Sequence, residues 1–181
     1  MKIHRVEPAD PQDLSRAVES DVARITPDLY IGTAPRSATD LALLKDATGI
    51  TAVLSLQTPR DLDALGLRRE EVEGWARALG LVWRNIPVED FSPEALIERL
   101  DEAVAELTRL FQSGHRVYLH CTAGVSRSPS VALAYLHWVL GEPFEGALAT
   151  IRQRRPQTDP YAQVLAAIRR RRPAREHRTG R

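Results

Sequence analysis

Apolar positions along the chain fall into short blocks of two alternating kinds, runs with strand character and stretches with helical spacing. Leu29-Tyr30-Ile31-Gly32 predicts a short strand ending in a turn. Thr51 to Leu56 predicts a largely buried strand, and Leu81 to Val88 and Arg116 to His120 predict two more. Between them the spacing turns helical. Ser37 to Thr48 predicts a helix stopped by Gly49, and Arg68 to Leu79 another with Gly80 behind it. Ser92 is a capping residue with Pro93 at the first helical position. Leu96, Leu100, Val104, Leu107 and Phe111 then mark one inward face of a helix that Gly114 ends. The longest apolar run, Val131 to Leu140, is broken by His137 and too short to span a bilayer, so it reads as a buried helix. Pro143 to Arg154 and Tyr161 to Arg171 predict the last helices. This alternation predicts an α/β fold: a single domain with a central, mostly parallel sheet and helices on both faces.

Composition narrows the setting. With 181 residues, 43% of them apolar, the chain suits one domain of ordinary size with a real core. A net charge of +1 argues neither for nor against an acidic partner; no nucleic-acid or membrane partner is expected. The one cysteine excludes an internal disulfide and fits a reducing, cytoplasmic setting. It also excludes metal sites built on several cysteines. The five histidines lack ligand-like spacing, so no metal or cofactor is expected. Met1 to Asp10 is polar, without the apolar centre of a signal peptide. A monomer is expected. Seven arginines lie between Arg169 and Arg181, and the reading adopted for them is a solvated basic terminus.

The chemistry concentrates in His120-Cys121-Thr122-Ala123-Gly124-Val125-Ser126-Arg127-Ser128-Pro129. The cysteine follows the strand Val117-Tyr118-Leu119 and precedes an arginine by six residues. A strand, a small-residue loop and a helix starting near Pro129 would converge backbone amides on an anion. Such amides also stabilise a thiolate, and only a thiolate is an effective nucleophile. No proline interrupts Thr122 to Ser128, so every amide there can donate. Gly124 can take backbone angles that a side chain would forbid. Thr122, Ala123, Gly124, Val125, Ser126 and Arg127 are thus the expected phosphate-binding residues, with the Arg127 fork holding two oxygens. Cys121 is the expected nucleophile, Ser128 the hydrogen-bonding partner of the departing sulfur, and His120 a residue that orients the loop. Asp90, in Val88-Glu89-Asp90-Phe91-Ser92-Pro93, is the candidate general acid, with Glu89 as its rival. Phe91, beside the acid, is the aromatic expected to contact substrate, whereas Trp83 and Trp138 read as core.

The run His-Cys-x-x-Gly-x-Ser-Arg-Ser resembles the signature of the dual-specificity phosphatase family, within the protein tyrosine phosphatase superfamily. Those enzymes place an acidic aspartate one loop upstream at about the distance found here, where Asp90 lies 31 residues before Cys121. Ile25 to Gly32 and Arg155-Pro156 also match the family. The resemblance implies a protein tyrosine phosphatase-like fold and hydrolysis of phosphomonoesters through a phosphocysteine. It divides the chain into an extension over 1–24, a catalytic domain over 25–168 and a basic tail over 169–181. Leu54 to Gln57, Asp61 to Leu67 and Asp90 to Pro93 are more similar to one branch, the laforin and starch-excess glucan phosphatases. Ser126 departs from that branch, which has glycine there, and matches the protein-directed members. Tyr161 stands where many members have an asparagine that supports the loop. The expected substrate is therefore a phosphorylated protein (on Tyr and Ser/Thr), with a phosphoglucan as the alternative. Two rivals of other classes are a phospho-binding module without turnover and a rhodanese-type sulfurtransferase.

Overall fold

Four strands run parallel with their carboxyl ends level, and that edge carries every residue of the expected chemistry. A computed structural model describes residues 21–171. Its five-stranded sheet has the order β1-β2-β5-β3-β4, from β1 (Ala23–Arg24), β2 (Leu29–Gly32), β3 (Ala52–Ser55), β4 (Val82–Asn85) and β5 (Val117–His120). Only β1 is antiparallel, pairing Ala23 with Ile31. Gly32 and Ser55 both lie opposite His120, and Ser55 lies opposite Asn85. Loops after β2, β3, β4 and β5 thus leave from one plane, the crevice where open α/β sheets bind ligands.

The helices are α1 (Ala38–Thr48), α2 (Pro59–Ala64), α3 (Arg69–Ala78), α4 (Pro93–Gln112), α5 (Arg127–Trp138), α6 (Phe144–Arg154) and α7 (Ala162–Arg170). Alternating strand residues point to two cores, one on each face of the sheet. Leu29, Ile31, Leu54, Val117 and Leu119 pack with α4, α5, α6 and α7. Tyr30, Val53 and Tyr118 pack on the other face with Leu41 and Leu44 of α1 and Ala76 of α3. Every residue of α5 is buried, the apolar run from Val131 together with Arg127, Ser128, Ser130 and His137.

The predicted helices form with the caps expected of them. Ser37 Oγ accepts from Asp40 N, Ser92 Oγ accepts from Ala95 N, and Gly49 ends α1 at φ 67°. Two short elements escaped the sequence pattern: β1 has only two residues and α2 only six. Helix α5 begins at Arg127, two residues before Pro129, so the proline is its third residue. It fits there because the first four helical N–H groups have no intrahelical partner. The sheet takes in two residues before position 25, and α7 runs to Arg170. Most of the 1–24 extension and of the basic tail lies outside the described residues. Trp138 is buried and its Nε1–H donates to Ile168 O at 3.0 Å, while Trp83 is half-buried beneath Arg69.

Candidate active site

Strand β5 delivers Cys121 to the sheet edge, 3% exposed, and the chain turns back at once into α5. Gly124 takes φ 64° in that turn, and its N–H donates to Cys121 Sγ at 3.2 Å. Ser128, in the first turn of α5, brings its Oγ within 3.5 Å of the same sulfur. One amide, one hydroxyl and the positive end of a twelve-residue helix therefore face the thiol.

The loop is tied from behind. His120 is buried, and its Nδ1–H donates to Cys121 O at 2.9 Å. Burial pushes the imidazole pKa down to about 4, which keeps the ring neutral at ordinary pH. Arg155 is 2% exposed and donates from Nε to Gly124 O and from Nη2 to Ala123 O. Taking those carbonyls backward leaves the loop amides free to turn forward. Asp21 accepts from the far side of Arg155. Thr122 O accepts from Ala34 N at 3.0 Å, and Val125 O from Asp159 N at 2.9 Å. A Cβ on Gly124 would run into the Gly32 carbonyl and the Arg155 guanidinium. Arg155 and the Asp159 amide are thus the groups that hold the loop's carbonyls. Burial and the nearby Asp90 carboxylate raise the pKa of the Tyr161 phenol.

Arg127 is 1% exposed and meets two carboxylates. Its Nη1 donates to Asp61 Oδ2 at 2.8 Å and to Val88 O at 2.9 Å. Its Nη2 donates to Asp90 Oδ2 at 2.6 Å and to Thr122 Oγ1 at 3.2 Å. Nε is buried without a partner. Burial works against the guanidinium charge, but the Asp61 hydrogen bond and the charges of Cys121, Asp61 and Asp90 outweigh it. At Asp61, likewise, burial pushes the carboxyl up, yet hydrogen bonds from Arg127 and Thr58 hold it below the ordinary value.

Of the two candidate acids, Asp90 reaches the loop. Glu89 lies in solvent, 3.8 Å from an exposed Arg60. Phe91 is 86% exposed, at φ 58°, beside Asp90. A bulky residue in that backbone region is strained by about 1–3 kcal/mol, and such strain gathers at ligand-contacting turns. Asp61, Arg155 and Gln57, whose Nε2 donates to Thr122 Oγ1, were missed as site residues. Thr58-x-x-Asp61 was open to detection as a capping box, but its link to Arg127 was not.

Comparison with known proteins agrees with this geometry. The family described as dual specificity phosphatase, catalytic domain, matches residues 29–171. Laforin of Mus musculus is 32% identical over 144 residues, covering 74% of this chain and 44% of laforin. The phosphoglucan phosphatase LSF1 of Arabidopsis thaliana is 29% identical, over 71% of this chain and 22% of its own length. Human dual specificity protein phosphatase 2 is 34% identical, over 72% of this chain and 37% of its own. This chain spans less than half the length of each of these relatives. The crystal structure of Tk-PTP in its active form superposes with a TM-score of 0.67 at 22% identity, over 82% of this chain and 93% of that one, a likeness of fold.

Proposed function

The chain belongs to the dual-specificity phosphatase family, and on that footing we propose that it hydrolyses phosphomonoesters through a phosphocysteine at Cys121. The observation that carries this reading is the buried Nε of Arg127, which has no hydrogen-bond partner while both Nη groups are engaged. In a guanidinium, Nε and Nη2 form one donor edge, and two phosphate oxygens match it. Buried donors are rarely left unmet, and here a substrate oxygen would meet this one.

The Cys121 thiolate attacks phosphorus along the side opposite the leaving oxygen. A P–S bond forms, the P–O bond breaks, and the leaving oxygen takes a proton from Asp90. Asp90, now a carboxylate, accepts a proton from water as that water attacks phosphorus. The P–S bond breaks and inorganic phosphate leaves. Ser128 Oγ donates to the departing thiolate, and the amides from Thr122 to Arg127 with the Arg127 fork hold the three phosphoryl oxygens. Asp90 is hydrogen-bonded to the clamp before substrate arrives, so binding has to part the two.

The substrate reading is a phosphorylated protein, on Tyr and on Ser/Thr, supported by Ser126 and by the protein-directed relatives. A phosphoglucan is the second reading. It is favoured by Asp61, which lies in a segment shared with the starch-excess branch and grips Arg127. Phe91 would pack against either a protein side chain or a sugar ring. The single cysteine supports a reducing, cytoplasmic setting, and the proposed catalytic domain is residues 25–168.

Cys121→Ser should abolish hydrolysis of p-nitrophenyl phosphate while inorganic phosphate still binds. Full activity in that variant overturns the mechanism. A wild-type protein that binds phosphate without turnover would be a phospho-binding module, and thiocyanate release from thiosulfate and cyanide would mark a sulfurtransferase. Phosphate release from phosphopeptides and from phosphorylated amylopectin, measured side by side, chooses between the substrate readings.

A further inference from the structure

Asp61 touches the phosphate clamp yet has no part in the reaction just described. Its Oδ2 accepts from Arg127 Nη1 at 2.8 Å, and its Oδ1 lies 3.4 Å from Nη2. The carboxylate is itself fixed by a capping box at the start of α2. Thr58 N and Thr58 Oγ1 donate to Oδ2 at 2.8 and 2.9 Å, and Asp61 N donates back to Thr58 Oγ1 at 3.1 Å. Asp61 and Val88 O together engage both protons of Arg127 Nη1. They hold the end of the guanidinium that faces away from the Nε–Nη2 edge. Asp90 sits on that edge and must quit it when phosphate binds.

Resting on the phosphatase reading, we propose that Asp61 is a positioning residue that keeps the Nε–Nη2 edge of Arg127 turned into the cradle while Asp90 moves away to handle protons. The two aspartates act oppositely on one side chain: Asp61 aims it and Asp90 competes for it. Without Asp61, only Val88 O holds Nη1, and Asp90 becomes the sole carboxylate on the clamp, on the edge that substrate needs. Phosphate binding then weakens. Simple Coulomb reasoning gives the reverse sign, because deleting a negative charge beside an anion site tightens anion binding. The sign of the change therefore separates the two.

The test measures KM for p-nitrophenyl phosphate, Ki for inorganic phosphate, and direct phosphate binding by calorimetry on the full chain. Asp61→Ala leaves Thr58 Oγ1 able to accept the residue 61 N–H, so α2 keeps half of its cap. It should raise KM and Ki together by about tenfold, the loss expected when one partner of a charge-assisted pair is removed, with kcat within about threefold. Asp61→Asn, which keeps an acceptor without the charge, should fall between wild type and Asp61→Ala. It also serves as the reporter if Asp61→Ala does not fold. Asp63→Asn removes a charge from the same short helix on an exposed side chain and should leave both constants within twofold. An unchanged or lowered Ki in the Asp61 variants overturns the positioning role, as does an equal effect in Asp63→Asn. If wild type binds phosphate but does not turn over, hydrolysis fails as a function while calorimetry still reads the role of Asp61.

Discussion

Arg127 meets Asp61 at Nη1 and Asp90 at Nη2, so under the proposed mechanism one guanidinium serves binding and chemistry at different moments. Asp90→Ala removes the proposed proton donor, so its cost should grow as the leaving group worsens. A fall in kcat of about 100-fold is expected for alkyl phosphates, and a much smaller one for p-nitrophenyl phosphate, read from a series of leaving groups. A uniform loss across the series would indicate damaged folding instead. The same variant frees Nη2, so Ki for inorganic phosphate should fall, opposite to Asp61→Ala. Cys121, Arg127 and Ser128 were legible in the sequence because the loop brings them together through local spacing. Asp90 was legible because it sits just before the Ser92-Pro93 cap, although choosing it over Glu89 on physical grounds required the contact with Arg127. Asp61 and Arg155 were not legible as site residues, since each acts across a tertiary contact that no periodicity encodes.

The catalytic loop and α5 form one unit whose conformation rests on Gly124. Its φ of 64° and the Gly32 carbonyl and Arg155 guanidinium against its open side leave no room for a methyl group. Gly124→Ala should cost about 1–3 kcal/mol in urea unfolding, because the position combines left-handed backbone with a backbone clash. Turnover should fall at least about tenfold, since the amide aimed at Sγ belongs to this residue. Wild-type stability and turnover in that variant would mean that the loop adapts freely. Helices with several periods of apolar spacing, such as α4, were legible in outline with their caps. The six residues of α2 were not, because one and a half turns carry no period to read. Pro129 marks the start of α5 only to within its first turn, because each of the first helical positions tolerates a residue without an N–H.

Over the whole molecule, the parallel register and the two apolar layers follow from the strand–helix alternation, and both were legible. The antiparallel edge strand was not, because a two-residue pairing is set by position alone. Burial of His120 ties the stability of the fold to pH. Its folded pKa of about 4 lies below the ordinary value of 6.5, so between these limits the unfolded chain binds a proton that the native one refuses. Stability is full above about pH 6.5 and is lost as pH falls toward 4, by about 3 kcal/mol in all. Urea midpoints between pH 7 and 4.5 should show that slope, and His120→Asn should flatten it. A slope unchanged in the variant would assign the acid sensitivity to other groups.

Every residue from Arg127 to Trp138 is buried, whereas Phe91, next to Asp90, is almost wholly in solvent. The proposed anion clamp is thus rooted in a wholly buried helix and the proposed acid in an exposed turn. A bulky ester would be told from a slender one by how far that turn yields, and amide hydrogen exchange should be quick at Phe91 and slow across the helix beneath the sulfur.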